Sequence, residues 1–274
     1  MSLFNIKYEA FSHSFTSDDS ITFLALAKQA AIALELAKKN FPQNVTIAME
    51  QSDKAASLVG DVYYVDDNIV DDNDFIKRYE KEMSSKNSTI HSLLAADLID
   101  QILREYASAI VLDVDLTNMS NLAVLDNFKK AINSGMQINY SSPSYKQYQK
   151  LISANNTILN YDDYQTSLAL TTEVKNIFNY LKSIDQNSNK SKSDSSLLDK
   201  LEMDIDTLHN ILLNNGSAGE LMRLVHLTIH PVLQEAFNLK TKMNMNMNMG
   251  MNMMDGQNMN MMDGQNMNMN MTQR

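Results

Sequence analysis

Long segments with helical apolar periodicity and few helix-breaking residues constrain the fold of this chain most strongly. The clearest is "ITFLALAKQAAIALELA" at residues 21–37. Its apolar stripe follows the helical spacing at Leu24, Ala27, Ala31 and Leu34. The 274 residues include only seven glycines and three prolines, the residues that most often interrupt helices. We therefore predict an all-α fold.

Residues 1–120 are predicted to form a first module of two helical hairpins. The first hairpin joins helices at residues 21–40 and 44–64, separated at Pro42, and the second joins residues 75–83 to residues 87–110. The helix at 44–64 is predicted to bury Val45, Ala48, Ala55, Val59 and Val62. Its start, "NVTIA", aligns with "NSTIH" at residue 87, and this register pairs Ala56 with Ile99, Val59 with Ile102 and Tyr63 with Tyr106. Two related hairpins predict a four-helix-bundle-like module.

A second module is predicted at residues 143–241, after a connecting helix and linker at residues 121–142. Ser142 followed by Pro143 is typical of a helix start, and Ser217 with Glu220 has capping-box spacing. The third hairpin joins residues 144–160 to 164–184, and the fourth joins residues 196–213 to 217–237. The fold is therefore predicted as tandem helical hairpins in two four-helix-bundle-like modules. Whether the modules pack as one body is left open.

Composition excludes several classes of function. A net charge of −10 argues against a nucleic-acid partner, because phosphate binding needs concentrated Lys and Arg. The absence of cysteine leaves thioether and imidazole as the soft-metal ligands. Residues 21–37 contain Lys28, Gln29 and Glu35, so we expect no membrane span, and no signal peptide is expected in the chain as written. The compartment stays open, since a mis-assigned start would hide an export signal.

No enzymatic signature is present in the sequence. The paired "ExxH" motifs of di-iron bundles, phosphate-binding glycine loops and "GxSxG" motifs are all absent. The acidic loop at residues 66–74 lacks the glycine and distal glutamate of an EF-hand, so Asp72, Asn73 or Asp74 is expected to cap the next helix. We expect a protein that is not an enzyme.

The C-terminal residues 242–274 hold 13 of the chain's 20 methionines and are predicted to form a disordered Met/Asn-rich tail. Thioethers are soft, neutral ligands that prefer Cu(I). Met253/Met254 and Met261/Met262 lie within two copies of a "MNMMDGQN" repeat, and the "DG" that follows each pair favours a turn that could close a loop around a metal. The candidate ligands are Met243, Met245, Met247, Met249, Met251, Met253, Met254, Met259, Met261, Met262, Met267, Met269 and Met271.

The fourth hairpin supplies a second candidate metal site. Met222, His226 and His230 follow one another at four-residue intervals, so neighbouring members share a helical face, and His209 on the preceding helix is expected to face them. This set would suit copper, and the two histidines alone would suit Zn(II) or Cu(II). The alternative is ordinary packed histidines within an apolar helix.

The segment "DLTNMSN" at residue 115 is a short Met/Asn counterpart of the tail's start, "NLKTKMNMN". On these motifs the chain resembles uncharacterised helical-hairpin proteins of ammonia-oxidising archaea that carry Met/Asn-rich runs. The tail is similar to Met-rich segments of copper-handling transporters and oxidases. Both resemblances imply copper as the cofactor, and neither supplies a catalytic residue.

The leading hypothesis is a non-enzymatic Cu(I)-binding or copper-handling protein that uses the Met-rich tail. Its expected partners are a copper donor or acceptor protein and a further copy of the chain in a homo-oligomer. The alternative is a helical protein-protein interaction module whose low-complexity tail is incidental, produced by replication slippage of alternating Met and Asn codons.

Overall fold

The computed structural model describes residues 19–65, 69–153, 157–186 and 192–240. These residues form ten α-helices and one π-helical turn, with no strand among them, which confirms the all-α class. In chain order, the helices are α1 (Asp19–Asn40), α2 (Val45–Val65), α3 (Asp72–Met83), α4 (Ser88–Ala109), α5 (Met119–Asn133), α6 (Pro143–Ile152), α7 (Tyr161–Gln186), α8 (Lys192–Leu213), α9 (Ala218–Leu224) and α10 (His230–Phe237), with the π-turn (Val225–Ile229) between α9 and α10. The predicted tail lies outside the described residues.

An antiparallel pair of helices, α4 and α7, forms the centre of the fold. At one end the ring of His91 meets that of Tyr180, with centroids 4.7 Å apart. At the other end the carbonyl of Ala109 accepts a hydrogen bond from the Leu159 N–H at 2.8 Å. Because α4 is surrounded by other helices, it is apolar on most of its circumference and is buried along nearly its whole length.

Two further helical layers cover this central pair. The α1–α2 hairpin lies on one side, where Lys28 pairs with Glu173 of α7 at 2.7 Å. On the other side α8 packs against α7, with Lys175 and Asp206 paired at 2.6 Å, and α10 packs against α4 and α8. One continuous hydrophobic core runs through all these layers. Residues from both predicted module ranges therefore contribute to a single hydrophobic core.

The shorter helices extend the bundle. On α1, the ring of Phe23 meets Phe75 of α3 edge to face, with centroids 5.5 Å apart. Helices α5 and α6 pack against each other and against α9. A Cβ atom at Gly219 of α9 would lie 2.9 Å from the carbonyl oxygen of Leu151 in α6, so glycine permits this close approach.

Two of the four predicted hairpins form as expected. The α1–α2 hairpin and the pairing of α8 with α9 and α10 are observed. The pairings of α3 with α4 and of α6 with α7 are wrong, because α3 packs on α1 and α6 packs on α5 and α9. Helices adjacent in sequence often pack together, which is why these pairings were predicted. In the structure the largely apolar α4 instead packs along α7.

Several predicted buried positions on the first hairpin are also wrong. Leu34 is 54% exposed and Val45 is 49% exposed, because the core side of each helix is rotated away from them. The proposed repeat does not produce equivalent environments either. Ala56 on α2 is exposed, whereas its counterpart Ile99 on α4 is fully buried, because α2 is an outer helix and α4 a central one.

Local helix-start signals are confirmed more consistently. The Ser142 hydroxyl accepts a hydrogen bond from the Tyr145 N–H at 3.1 Å, and the Ser217 hydroxyl accepts one from the Glu220 N–H at 3.1 Å. In the acidic loop the cap of α3 is Asp71, one residue before the predicted candidates.

The "DLTNMSN" segment has a structural role at the start of α5. The Asp115 carboxylate accepts a hydrogen bond from the Thr117 N–H at 2.9 Å, and the Asn118 side chain accepts one from the Ser120 N–H at 2.9 Å. The segment is therefore a turn followed by a helix cap, which explains its Asp, Thr and Asn without reference to the tail.

Among the described residues, α1 alone meets a membrane-span criterion of length and apolar composition. Most of its apolar stretch is buried in the helical body, where it contacts α2, α4 and α7. Core helices of water-soluble proteins meet the same criterion. This packing is compatible with the expectation that α1 does not span a membrane.

Candidate functional site: a buried histidine pair at the π-turn

The final helical arm contains a wider turn at the position of the two candidate histidines. The His230 N–H donates to the carbonyl of Val225, five residues earlier, which is the spacing of a π-helix. The next residue, Pro231, has no N–H, and in a regular α-helix its ring would clash with the carbonyl of Leu227. The π-turn accommodates this proline without ending the arm. Such turns occur frequently at functional sites, which makes this region a candidate.

The turn brings the two histidines together in the interior. His226 is 3% exposed and His230 is 4% exposed, and their ring centroids lie 5.4 Å apart in an edge-to-face arrangement. The Nε2 of His226 donates to the carbonyl oxygen of Leu116 at 2.9 Å, which links this arm to the loop before α5. The Nε2 of His230 lies 3.5 Å from the Oδ1 of Asp100 on α4.

Asp100 has the most strongly perturbed electrostatic environment in the site. Burial raises the pKa of this carboxyl to about 7, against the opposing effect of the Arg104 cation, and the nearby carboxyls of Asp97 and Asp115 raise it further. Burial also raises the pKa of Asp97. A carboxyl that titrates near neutrality beside an imidazole is chemically able to exchange a proton with it.

The predicted trio is only partly assembled as a site. His226 and His230 are adjacent as expected, and Met222 is fully buried in the hydrophobic core. Within the part of the chain that the structure describes, no group of three His, Asp or Glu side chains is placed to hold a metal ion. The 13 candidate tail methionines lie outside the described residues, so the structure places none of them.

His209 does not face the π-turn, contrary to expectation. It borders a groove of about 430 Å³ between α1 and α7, together with Ile32, Tyr161 and Leu168. Burial and then the charge of Lys175 lower the pKa of His209, with Asp206 acting in the opposite direction. Its position on α8 turns it towards α7, away from the other two histidines.

Asp100 is not among the residues predicted from the sequence, although the sequence contains a signal for it. The segment "AADLIDQIL" places Asp97 and Asp100 in an otherwise apolar helix, three residues apart and therefore on neighbouring positions of one face. Acidic residues in such a helix are expected to have a specific partner. That the partner is His230 follows only from the packing of α10 on α4, across 130 residues of sequence.

A second buried polar cluster joins α2, α4 and α7. The Lys54 ammonium lies 2.6 Å from a Glu105 carboxylate oxygen and 3.0 Å from one of Asp163. Burial raises the pKa of Glu105 against the opposing charge of Lys54. For Asp163, hydrogen bonds from Ser108 and Lys54 outweigh burial and lower the pKa. Every member has a charged or hydrogen-bonding partner, so this cluster serves to join helices.

Comparison with known proteins adds no family or fold relative. No protein-family model, no curated protein sequence and no solved structure matches this chain. The resemblance of its motifs to archaeal helical-hairpin proteins and copper-handling segments stays a prediction.

Proposed function

We propose that this protein is a non-enzymatic Cu(I)-binding or copper-handling protein whose binding element is the segment 242–274. The observation that carries the proposal is the concentration of 13 of 20 methionines in these 33 residues, spaced as "MxM" and "MM" pairs. The helical body then serves as the scaffold that bears this segment immediately after α10.

The chemistry of the ligands determines the choice of metal. Thioether sulfur is soft and uncharged, so it favours Cu(I) over hard cations and binds it without releasing a proton. The segment has no cysteine or histidine, and its carboxylates are limited to two aspartates, Asp255 and Asp263. Neutral thioethers do not compensate the charge of Cu(I), so they bind the ion more weakly than thiolates do. A donor set dominated by thioethers therefore favours exchange of Cu(I) with a donor or acceptor protein.

The helical histidines have a secondary place in this proposal. The Nε2 of His226 is occupied by the carbonyl of Leu116, and Met222 is enclosed by core residues. Copper binding by Met222, His226 and His230 would require these side chains to leave their present packing. We therefore assign the principal role to the tail methionines.

A competitive titration under anaerobic conditions tests the proposal. Cu(I) is supplied from a chromophoric chelator to the full chain and to a full-length variant in which all 13 tail methionines are leucine. A control variant carries Met49→Leu, Met136→Leu and Met203→Leu, which are exposed methionines of the helical body. We expect the control to withdraw copper as the native chain does, and the tail variant to lose this uptake. Equal uptake by the native chain and the tail variant would disprove the role of the tail.

The second candidate function is a helical interaction module with an incidental tail. The observation that favours it is the number of large apolar side chains at the surface, including Phe41, Val111 and Leu159, each more than 60% exposed.

A further inference from the structure

One end of the helical bundle gathers chain segments that are distant in sequence. The Asn40 side chain at the end of α1 donates to the Gln165 side chain of α7 at 2.7 Å. The loop before α7 bonds to the end of α4 through the Leu159 N–H and the Ala109 carbonyl. The Tyr164 hydroxyl donates to the carbonyl of Leu212, near the end of α8, at 3.3 Å. The ends of α1, α4 and α8 therefore surround the beginning of α7.

Each of these segments exposes at least one large apolar side chain at this end of the bundle. We call the following set the apolar end: Phe41 (62% exposed), Val45 (49%), Val111 (66%), Leu159 (68%), Tyr161 (52%) and Leu213 (50%). Single exposed apolar residues are ordinary, but a group drawn together from four segments is typical of an interaction surface. Its two aromatic members are of the kind that anchors protein interfaces.

Val111 provides an independent sign that this surface has a role. Its φ of 50° lies in the left-handed region, where a β-branched side chain is strained. The other described residues with positive φ are Asn215, Asn238 and Gly135, the types that favour this conformation. At the end of α4 the chain instead has an exposed valine, which costs stability without filling the core. The exposed Val111 side chain is therefore available for a contact outside this molecule, and strained residues of this kind cluster at functional surfaces.

The charges beside the apolar end have both signs. Lys38 and Lys39, in the last turn of α1, precede Phe41, whereas Asp113 and Asp162 adjoin Val111 and Tyr161. A two-fold axis through the surface would bring the lysines of one copy towards the aspartates of the other, as self-complementary interfaces require. An anionic lipid surface fits less well, because the chain has a net charge of −10.

We propose that the apolar end pairs with the same surface of a second copy to form a symmetric homodimer. The antiparallel packing of α10 on α4 directs residue 240 away from this surface, since Gly216 lies near Tyr106 and His230 lies near Asp100. The interface therefore does not involve the end of α10. It is independent of the copper proposal.

Sedimentation velocity of the full chain, from low-micromolar to near-millimolar concentration, tests this interface. The native protein is expected to shift from monomer to dimer as concentration rises. Leu159→Gln is expected to weaken dimerisation on the order of 100-fold, because each substitution counts twice across a two-fold axis. Met203→Gln is the matched control, since Met203 is 70% exposed on α8 and lies outside the apolar end. It is expected to dimerise as the native chain does.

Val111→Asn is a second variant that suits the left-handed backbone while removing the apolar side chain. It is expected to weaken the dimer without lowering the melting temperature measured at low-micromolar concentration, where the native chain is monomeric. A purely structural role for Val111 would not produce this combination. A native chain that stays monomeric throughout, or a dimer unaffected by both Leu159→Gln and Val111→Asn, overturns the proposal. The proposal is also overturned if the chain does not self-associate but binds anionic vesicles, and Leu159→Gln abolishes that binding.

Discussion

Replacing Asp100 with asparagine is expected to make the protein more stable at about pH 8. Burial raises the pKa of Asp100 from 3.8 to about 7, so the folded state holds a proton that the unfolded state releases. Folding stability from this group is fully present below the unfolded pKa and is lost as pH rises through the folded pKa. The native chain should therefore lose stability between pH 3.8 and about 7. Asparagine removes this loss because it has no charge to bury.

The pKa difference sets the size of the effect. A shift of about three units corresponds to about 4 kcal/mol, at about 1.4 kcal/mol per unit. The Asp100 side chain is only 14% exposed, so solvent screening reduces this energy little. A protonated His230, 3.5 Å away, would offset part of the cost of burying the Asp100 charge. We therefore expect Asp100→Asn to stabilise the protein by about 1–3 kcal/mol at about pH 8, and to have little effect at about pH 4.

Urea denaturation followed by circular dichroism, repeated across this pH range, measures the difference. Asp113→Asn is the matched control, because Asp113 is exposed in the loop after α4, and it should leave stability nearly unchanged. Lower stability of Asp100→Asn at about pH 8 would refute the reasoning, since it would mean that an Asp100–His230 ion pair outweighs the cost of burial. A pH-independent difference would refute it as well.

Three further substitutions test the packing, each by its effect on urea or thermal denaturation. Lys54→Met leaves the buried carboxylate of Glu105 and the partly buried one of Asp163 without their cation, and it should destabilise the protein by about 3 kcal/mol. Lys77→Met, at an exposed site, should change stability by less than about 0.5 kcal/mol, and equal effects of the two substitutions would contradict the ion network. Gly219→Ala should destabilise the protein by about 1–3 kcal/mol, because the new Cβ would lie 2.9 Å from a backbone carbonyl oxygen. Gly60→Ala has open space around it and should stabilise α2 by about 0.5–1 kcal/mol. The reverse order of stability would contradict the close approach of α6 and α9. Val111→Asn should raise stability by about 1 kcal/mol by relieving a strained backbone, and a lower melting temperature would argue against that strain.

The sequence predicted the local features of this fold well. Helix starts at Asn87, Ser142 and Ser217 depend on side chains that bond backbone groups two or three residues later. The adjacency of His226 and His230 likewise follows from their spacing within one helical arm. These features are encoded within a few residues, so a single sequence suffices to predict them.

The pairing of distant helices was less predictable. The periodicity of α4 shows that it is apolar, but it does not show that its partner is α7 and not α3. The exposed face of α1 at Leu34 and the contact between Asp100 and His230 depend on that choice of partner. The left-handed conformation of Val111 could not be predicted, because no residue preference favours valine there.

The central claim, that the tail methionines bind Cu(I), is tested most directly by X-ray absorption at the copper K-edge. The full chain is loaded anaerobically with one equivalent of Cu(I), and the atoms bound to copper are identified from the extended fine structure. The proposal predicts a first shell of two or three sulfur atoms, contributed by residues 242–274, and the loss of that shell in the variant with leucine at all 13 tail positions. A first shell of nitrogen or oxygen alone, or a sulfur shell that survives in this variant, would contradict it.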